Sequence, residues 1–279
     1  MLVRVHATAI TPTELHWVPT FNTPTGQPRA FPIVLSHEMS GVVEEVGAHV
    51  SAVKPGDAVY GINDWFCNGA QAEFCIAPAS SLAGKPRSLD HVQASVVPIS
   101  ALTAWQALFD RAKVQRGQRV LVHGAAGGVG VFAVQLAESC GAHVFATASS
   151  ANLQFVRDLG AQMVIDYHKD RFEDVFQDVD VVFDCVGGET LERSWQVLRK
   201  GGRLVTIVEQ AMTSSPRDRD AFMIVNQDGS QLAVIADLID RGAIRVFVEG
   251  AYPLEQAREA YQRAEHGRMR GKIALRVSD

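Results

Sequence analysis

Close cysteine pairs are missing from this chain. Its four cysteines, Cys67, Cys75, Cys140 and Cys185, show no CxxC spacing, which excludes a dense disulfide framework and leaves reduced, mostly buried thiols as the expectation. Long apolar runs are missing as well: none approaches the roughly 20 residues that a spanning helix requires. The N-terminal MLVRVHATAI lacks the basic, apolar and small-residue order of a signal peptide, so a cytoplasmic protein without a membrane partner is expected. Basic residues are scattered, the densest patch being RGQR at 116–119, and the net charge is −5. That balance argues against nucleic acid as a partner.

What is present is the composition of a globular protein, with 47% hydrophobic and 20% charged residues, and 279 residues suit two domains. Up to about residue 97, β-rich runs (LVRVHATAI, MSGVVEEVG, DAVYGI) alternate with the turn segments TPTG, GQP and KPGD, as in a mostly β domain. From about 98 the period changes. RVLVHGA, HVFATAS, MVID, VDVVFDCVG and RLVTIV read as strands, with helices at GVFAVQLAESCG and ANLQFVRDLGA. Strands alternating with helices imply an α/β fold, a doubly wound parallel sheet of the Rossmann kind. The tail holds two amphipathic helices and two strands, and its last strand is expected to return to the first domain. The expected domains are therefore 1–97 with 243–279, and 98–242.

Between the first strand and helix of the second domain lies AAGGVG, residues 125–130, an AxGxxG pattern. In a dinucleotide fold this turn meets the pyrophosphate. Ala125 takes the place of the usual first glycine. Gly127 would let the backbone approach the phosphates, Gly130 would allow close helix–strand packing, and the helix N-terminus would offer free N–H groups. A strand–helix turn with no ligand carries the same residues. The second strand ends ATASSAN, without the Asp or Glu that holds an NAD ribose. Ser149, Ser150 and Asn152 leave room and donors for a 2′-phosphate, which favours NADPH; they equally suit a helix N-cap. Tyr167, after the third strand, would lie near the adenosine or simply pack.

Together with SHEMSGVVEEVGAHVSAVKPGDAVYG, PISALTAWQAL, TASSANLQFVRDLGAQMVIDY and RGKIALRV, these residues resemble the medium-chain dehydrogenase/reductase superfamily, in its zinc-free quinone oxidoreductase branch, along nearly the whole chain. The resemblance implies a GroES-like catalytic domain beside the Rossmann domain. It implies NADPH-dependent hydride transfer to a quinone or α,β-unsaturated carbonyl, in a homodimer. It assigns Ala126, Gly128 and Val129 to the pyrophosphate, and Ser149 and Tyr167 to the adenosine phosphate end. Val186 and Gly187 go to the ribose, and Phe222, Met223 and Ile224 to the nicotinamide amide. Arg270 and Lys272 would reach cofactor phosphate or simply end a charged strand.

Thr13, His16 and Thr103 are the candidate catalytic donors, with water as the other proton source. Trp17, Trp65 and Phe66 would wall an apolar pocket, or pack under a loop. Of the superfamily's zinc ligands only His37 matches; Thr11 and Ile99 stand where the others fall, and the four-cysteine lobe is absent, so no metal is expected. Family members carry a β-hairpin before the strand LVRVHATAI, so that hairpin is expected to be missing. Two further readings are an NADPH-binding protein that is non-catalytic or depends on a partner, and a zinc alcohol dehydrogenase.

Overall fold

A computed structural model describes residues 1–208, 212, 215–267 and 269–278. The chain forms two compact units, Met1–Leu102 with Gln227–Asp279, and Thr103–Asn226. Among the described residues twelve strands run in order: β1 (Leu2–Ala9), β2 (Glu38–Glu45), β3 (Ala58–Ile62), β4 (Phe74–Ile76), β5 (Leu82–Gly84), β6 (Arg119–His123), β7 (His143–Ala148), β8 (Met163–Asp166), β9 (Val179–Asp184), β10 (Leu198–Thr206), β11 (Val248–Pro253) and β12 (Lys272–Arg276).

The first unit is built on one sheet in the order β11-β12-β1-β2-β3-β5, with β4 also paired to β1. Alternation along β1 places Val3, Val5 and Ala7 on one fully buried face, where the two valines join Met39, Val43, Val59, Cys75 and Leu82. The tail strand β12 lies antiparallel against β1, pairing Ala7 with Arg276 and Ala9 with Ala274.

The helix Gly229–Asp240 belongs to this unit, whereas the sequence pattern assigned it to the coenzyme domain. Packing explains the difference. A Cβ on Gly229 would sit 2.3 Å from the Leu82 carbonyl oxygen of β5, and the Tyr60 hydroxyl donates to the Leu232 carbonyl at 2.6 Å. At the other crossing, the amide of Ile99 donates to the buried Glu38 carboxylate at 2.9 Å and ties residues 98–102 to the first unit.

The second unit carries a parallel sheet in the order β10-β9-β6-β7-β8. Its central strands are apolar on both faces: Val120, Leu121, Val122, Val182 and Phe183 are fully buried. The chain leaves β6 toward β7 on one side and reaches β9 on the other, so the winding reverses between β6 and β9. Ligands of such sheets bind beyond the carboxyl ends of the strands at that reversal.

Candidate functional site

The turn after β6 occupies that position. Gly124 has φ +73°, a left-handed backbone, and a Cβ there would lie 3.3 Å from the Cβ of Cys185 at the end of β9. Gly130 opens the helix Gly130–Ser139, and its missing side chain lets the helix rest on the turn: a Cβ would stand 2.2 Å from the Gly124 carbonyl oxygen. At Gly127 the only such neighbour is that oxygen at 3.4 Å, an ordinary contact. No side chain caps the helix and no acid lies in its first turn; the amides of Val131 and Phe132 donate to the Gly127 and Val129 carbonyls, so the positive end of the helix dipole lies at this turn with no acidic side chain against it. Ala125 and Ala126 are buried within the turn, and Gly128 and Val129 complete it.

Two polar residues that sequence reasoning missed fix the surroundings. Asp184 ends β9 fully buried; its carboxylate accepts the amides of Val186 (3.0 Å) and Gly187 (3.1 Å) and the Thr206 hydroxyl (2.8 Å). The loop carrying Val186 and Gly187 is therefore pinned by its own backbone. Gly187 adopts φ +76°, with no room for a Cβ against Val208. An acid directly before CVGG was the available signal.

His123, at the end of β6, is fully buried between Thr147 (3.0 Å from Nδ1) and Ser194 (3.1 Å from Nε2). Ser194 gives its own proton to the Thr190 carbonyl, so Nε2–H donates to Ser194 and Nδ1 accepts from Thr147. Burial, followed by the Arg193 charge, pushes His123 down to about 3. In the first unit His91, stacked 4.4 Å from the His6 ring, is pushed down to about 4, mainly by burial. The folded values lie below the ordinary 6.5, so the unfolded chain takes up protons first as the pH falls. Stability is expected to be full above about pH 6.5 and to decline as the pH drops toward 4, read as the urea midpoint. His123→Gln should flatten that decline.

At the adenosine end, Ser149 precedes the short turn Ser150–Asn152 and its side chain makes no cap bond. Ser150 is exposed, but its hydroxyl donates to Asp166 Oδ2 at the end of β8. Its proton is therefore not free for a phosphate, which corrects the expected donor role. Asn152 is buried, and Tyr167 is exposed with its ring 4.3 Å from that of His168. The segment Phe222–Ile224 crosses the end of β10: the Met223 amide donates to the Thr206 carbonyl at 3.0 Å, Phe222 packs on the core, and Ile224 stays exposed. Thr103 is buried on the helix Pro98–Trp105.

In the first unit the turn Pro12–His16 buries Glu14 completely. Its Oε1 accepts the Ser36 amide and bonds His37 Nδ1, both at 2.8 Å, while Oε2 is buried without a partner. The ring of His37 lies 5.4 Å from that of Trp65, and Trp17 meets Trp65 edge-on at 5.5 Å. The structure thus brings Trp17 and Trp65 together over a buried histidine–glutamate pair, with Phe66 exposed on the same loop. Thr13 and His16 are exposed on the turn, outside this cluster.

Lys272 is engaged by a buried acid rather than presented for a phosphate. It is buried, with its ammonium bonded to the Glu38 carboxylate and to Thr11 Oγ1 (2.9 Å). The unexpected element is burial of a strand-end lysine, which only an equally buried carboxylate makes tolerable. Arg270 is exposed, and its amide donates to Glu249 at 3.1 Å.

Zinc does not fit these donors. Thr11, in the thiolate position, is bonded to an ammonium, Ile99 offers no donor atom from its side chain, and no three His, Cys, Asp or Glu residues gather among the described residues. A nicotinamide dinucleotide does fit the second unit. The uncapped helix and the turn at Gly127 would hold its pyrophosphate, and residues 186–187 its ribose.

Residues 1–87 match the alcohol dehydrogenase GroES-like domain family, and residues 159–275 the zinc-binding dehydrogenase family. The chain is 34% identical over 296 residues to a probable zinc-binding oxidoreductase, mitochondrial, of Arthroderma benhamiae, covering 99% of this chain and 88% of that protein. It is 30% identical over 285 residues to the NADPH-dependent alkenal/one oxidoreductase, chloroplastic, of Arabidopsis thaliana, covering 99% and 71%. The solved quinone oxidoreductase of Coxiella burnetii matches with a TM-score of 0.89 at 29% identity, covering 99% of this chain and 90% of that one. The chain belongs to the medium-chain dehydrogenase/reductase superfamily, in its quinone oxidoreductase-like branch. It is an oxidoreductase with a GroES-like unit and a Rossmann unit. No helix of the described residues is long and apolar enough to cross a membrane.

Proposed function

We propose that this oxidoreductase reduces quinones or α,β-unsaturated carbonyls with NADPH and without a metal. The observation that carries the reading is the glycine turn at the sheet's reversal: an uncapped helix N-terminus behind a backbone that Gly124 and Gly130 allow to close. The bound dinucleotide supplies the hydride. Everything else falls to the chain. The turn holds the pyrophosphate, the pinned loop at Val186 and Gly187 faces the ribose, and residues 222–224 orient the amide. Trp17 and Trp65 offer flat aromatic faces suited to conjugated acceptors. A missing acid at the end of β7 supports NADPH, as does the NADPH dependence of the Arabidopsis relative. The quinone and alkenal/one relatives support the acceptor class. Metal independence is supported by the ammonium of Lys272 beside Thr11.

The test is loss of NADPH absorbance with phenanthrenequinone and a set of enones, repeated with NADH and with a chelator. Turnover that favours NADPH and ignores the chelator is expected. Turnover abolished by the chelator would sink the metal-free reading. Binding of NADPH without oxidation by any acceptor would favour a non-catalytic binding protein.

A further inference from the structure

The end of β7 poses a question of proton direction. A hydroxyl has one proton and two lone pairs. Ser150 gives its proton to Asp166, so toward anything bound outside it presents lone pairs alone. A ribose 2′-hydroxyl can donate to such an oxygen, whereas a 2′-phosphate, rich in acceptors, gains no bond from it.

The arrangement is held firmly. Asp166 is 3% exposed, and its Oδ1 accepts the His168 amide at 3.1 Å. The Ser150 bond is the main influence holding its carboxyl below the usual range, so it stays an acceptor at neutral pH and does not return the proton. Lys169, 72% exposed, lies 3.8 Å from Asp166 Oδ2, so its ammonium is paired with this acid.

We infer that Asp166 determines cofactor specificity by acting through Ser150: it keeps the adenosine-ribose end receptive to NADH and limits the advantage of NADPH. An acid at the end of the second strand holds an NAD ribose directly in folds of this kind. Here the acid stands one strand further on, and a serine carries its acceptor character to the surface. Ser149, whose side chain makes no cap bond, and Lys169, already paired with Asp166, remain for a 2′-phosphate. The inference rests on the nicotinamide-dependent reading above.

Dissociation constants for NADH and NADPH, from quenching of tryptophan fluorescence, test it in the full chain. Ser150→Ala removes the hydroxyl and leaves the Asp166 carboxylate the His168 amide as donor. It is expected to weaken NADH about fivefold and to leave NADPH within about twofold. Asp166→Asn should move the preference about tenfold toward NADPH, because Lys169 loses its counter-charge and the amide can donate to Ser150. Should that variant fail to fold, Ser150→Ala decides alone. A Ser150→Ala chain that binds NADPH more weakly, loses both cofactors alike or loses neither overturns the inference, as does a folded Asp166→Asn chain with unchanged preference. Wild-type protein that binds neither dinucleotide overturns the nicotinamide reading itself, and is recognised before any variant is made.

Discussion

Gly130→Ala is expected to unfold the coenzyme unit several degrees earlier and to weaken dinucleotide binding at least about 100-fold. The added Cβ would lie 2.2 Å from the Gly124 carbonyl oxygen and under 3 Å from two backbone atoms of Ala125. None of these is the far end of a flexible side chain. The turn must therefore move as a whole, and Gly124, already at φ +73° against Cys185, has little room to follow. Overpacking of this kind costs about 3 kcal/mol. Gly127→Ala is the informative contrast. Its Cβ would make one ordinary contact at 3.4 Å, so stability should change by less than about 1 kcal/mol. If the pyrophosphate approaches that backbone, its binding still suffers. Thermal melts beside NADPH titrations separate the two glycines; equal melting losses in both variants would refute the distinction.

Periodicity and turn chemistry were enough to place the parallel sheet, the turn at Gly124–Gly130 and the return of β12 to the first unit. These are local signals, or consequences of a strand having nowhere else to pair. Partnerships between distant side chains were not readable. Ser150 looked like a phosphate donor because its local setting, an exposed serine after a strand, is that of a donor. Only the adjacency of β7 and β8 brings Asp166, 16 residues on, close enough to take the proton. Glu14 and His37, 23 residues apart, show nothing of their pairing in sequence. The helix Gly229–Asp240 has an apolar stripe that would cover either sheet. What decides is the bare Gly229 against Leu82, a contact with no trace in helical period.

Lys272→Met is expected to destabilise the first unit by about 3–5 kcal/mol, because it leaves the Glu38 carboxylate buried with no opposing charge. Glu38 is fully buried, and its remaining partners would be the Ile99 amide at 2.9 Å and the Thr11 hydroxyl at 3.4 Å. Two neutral donors do not replace an ammonium in a low-dielectric interior. The pair itself need not be stabilising against an apolar substitute, so Glu38→Gln combined with Lys272→Met should recover much of the loss. Urea unfolding of the two single variants and the double variant gives the coupling directly. The same variants settle between two roles for this lysine. A phosphate-binding lysine, when truncated, would raise the dissociation constant for NADPH and hardly move the unfolding midpoint. A lysine that balances a buried acid does the reverse. With Lys272 bonded to Glu38 across 234 residues of sequence, the second pattern is expected, and the first would show that the ammonium leaves this partner when the cofactor binds.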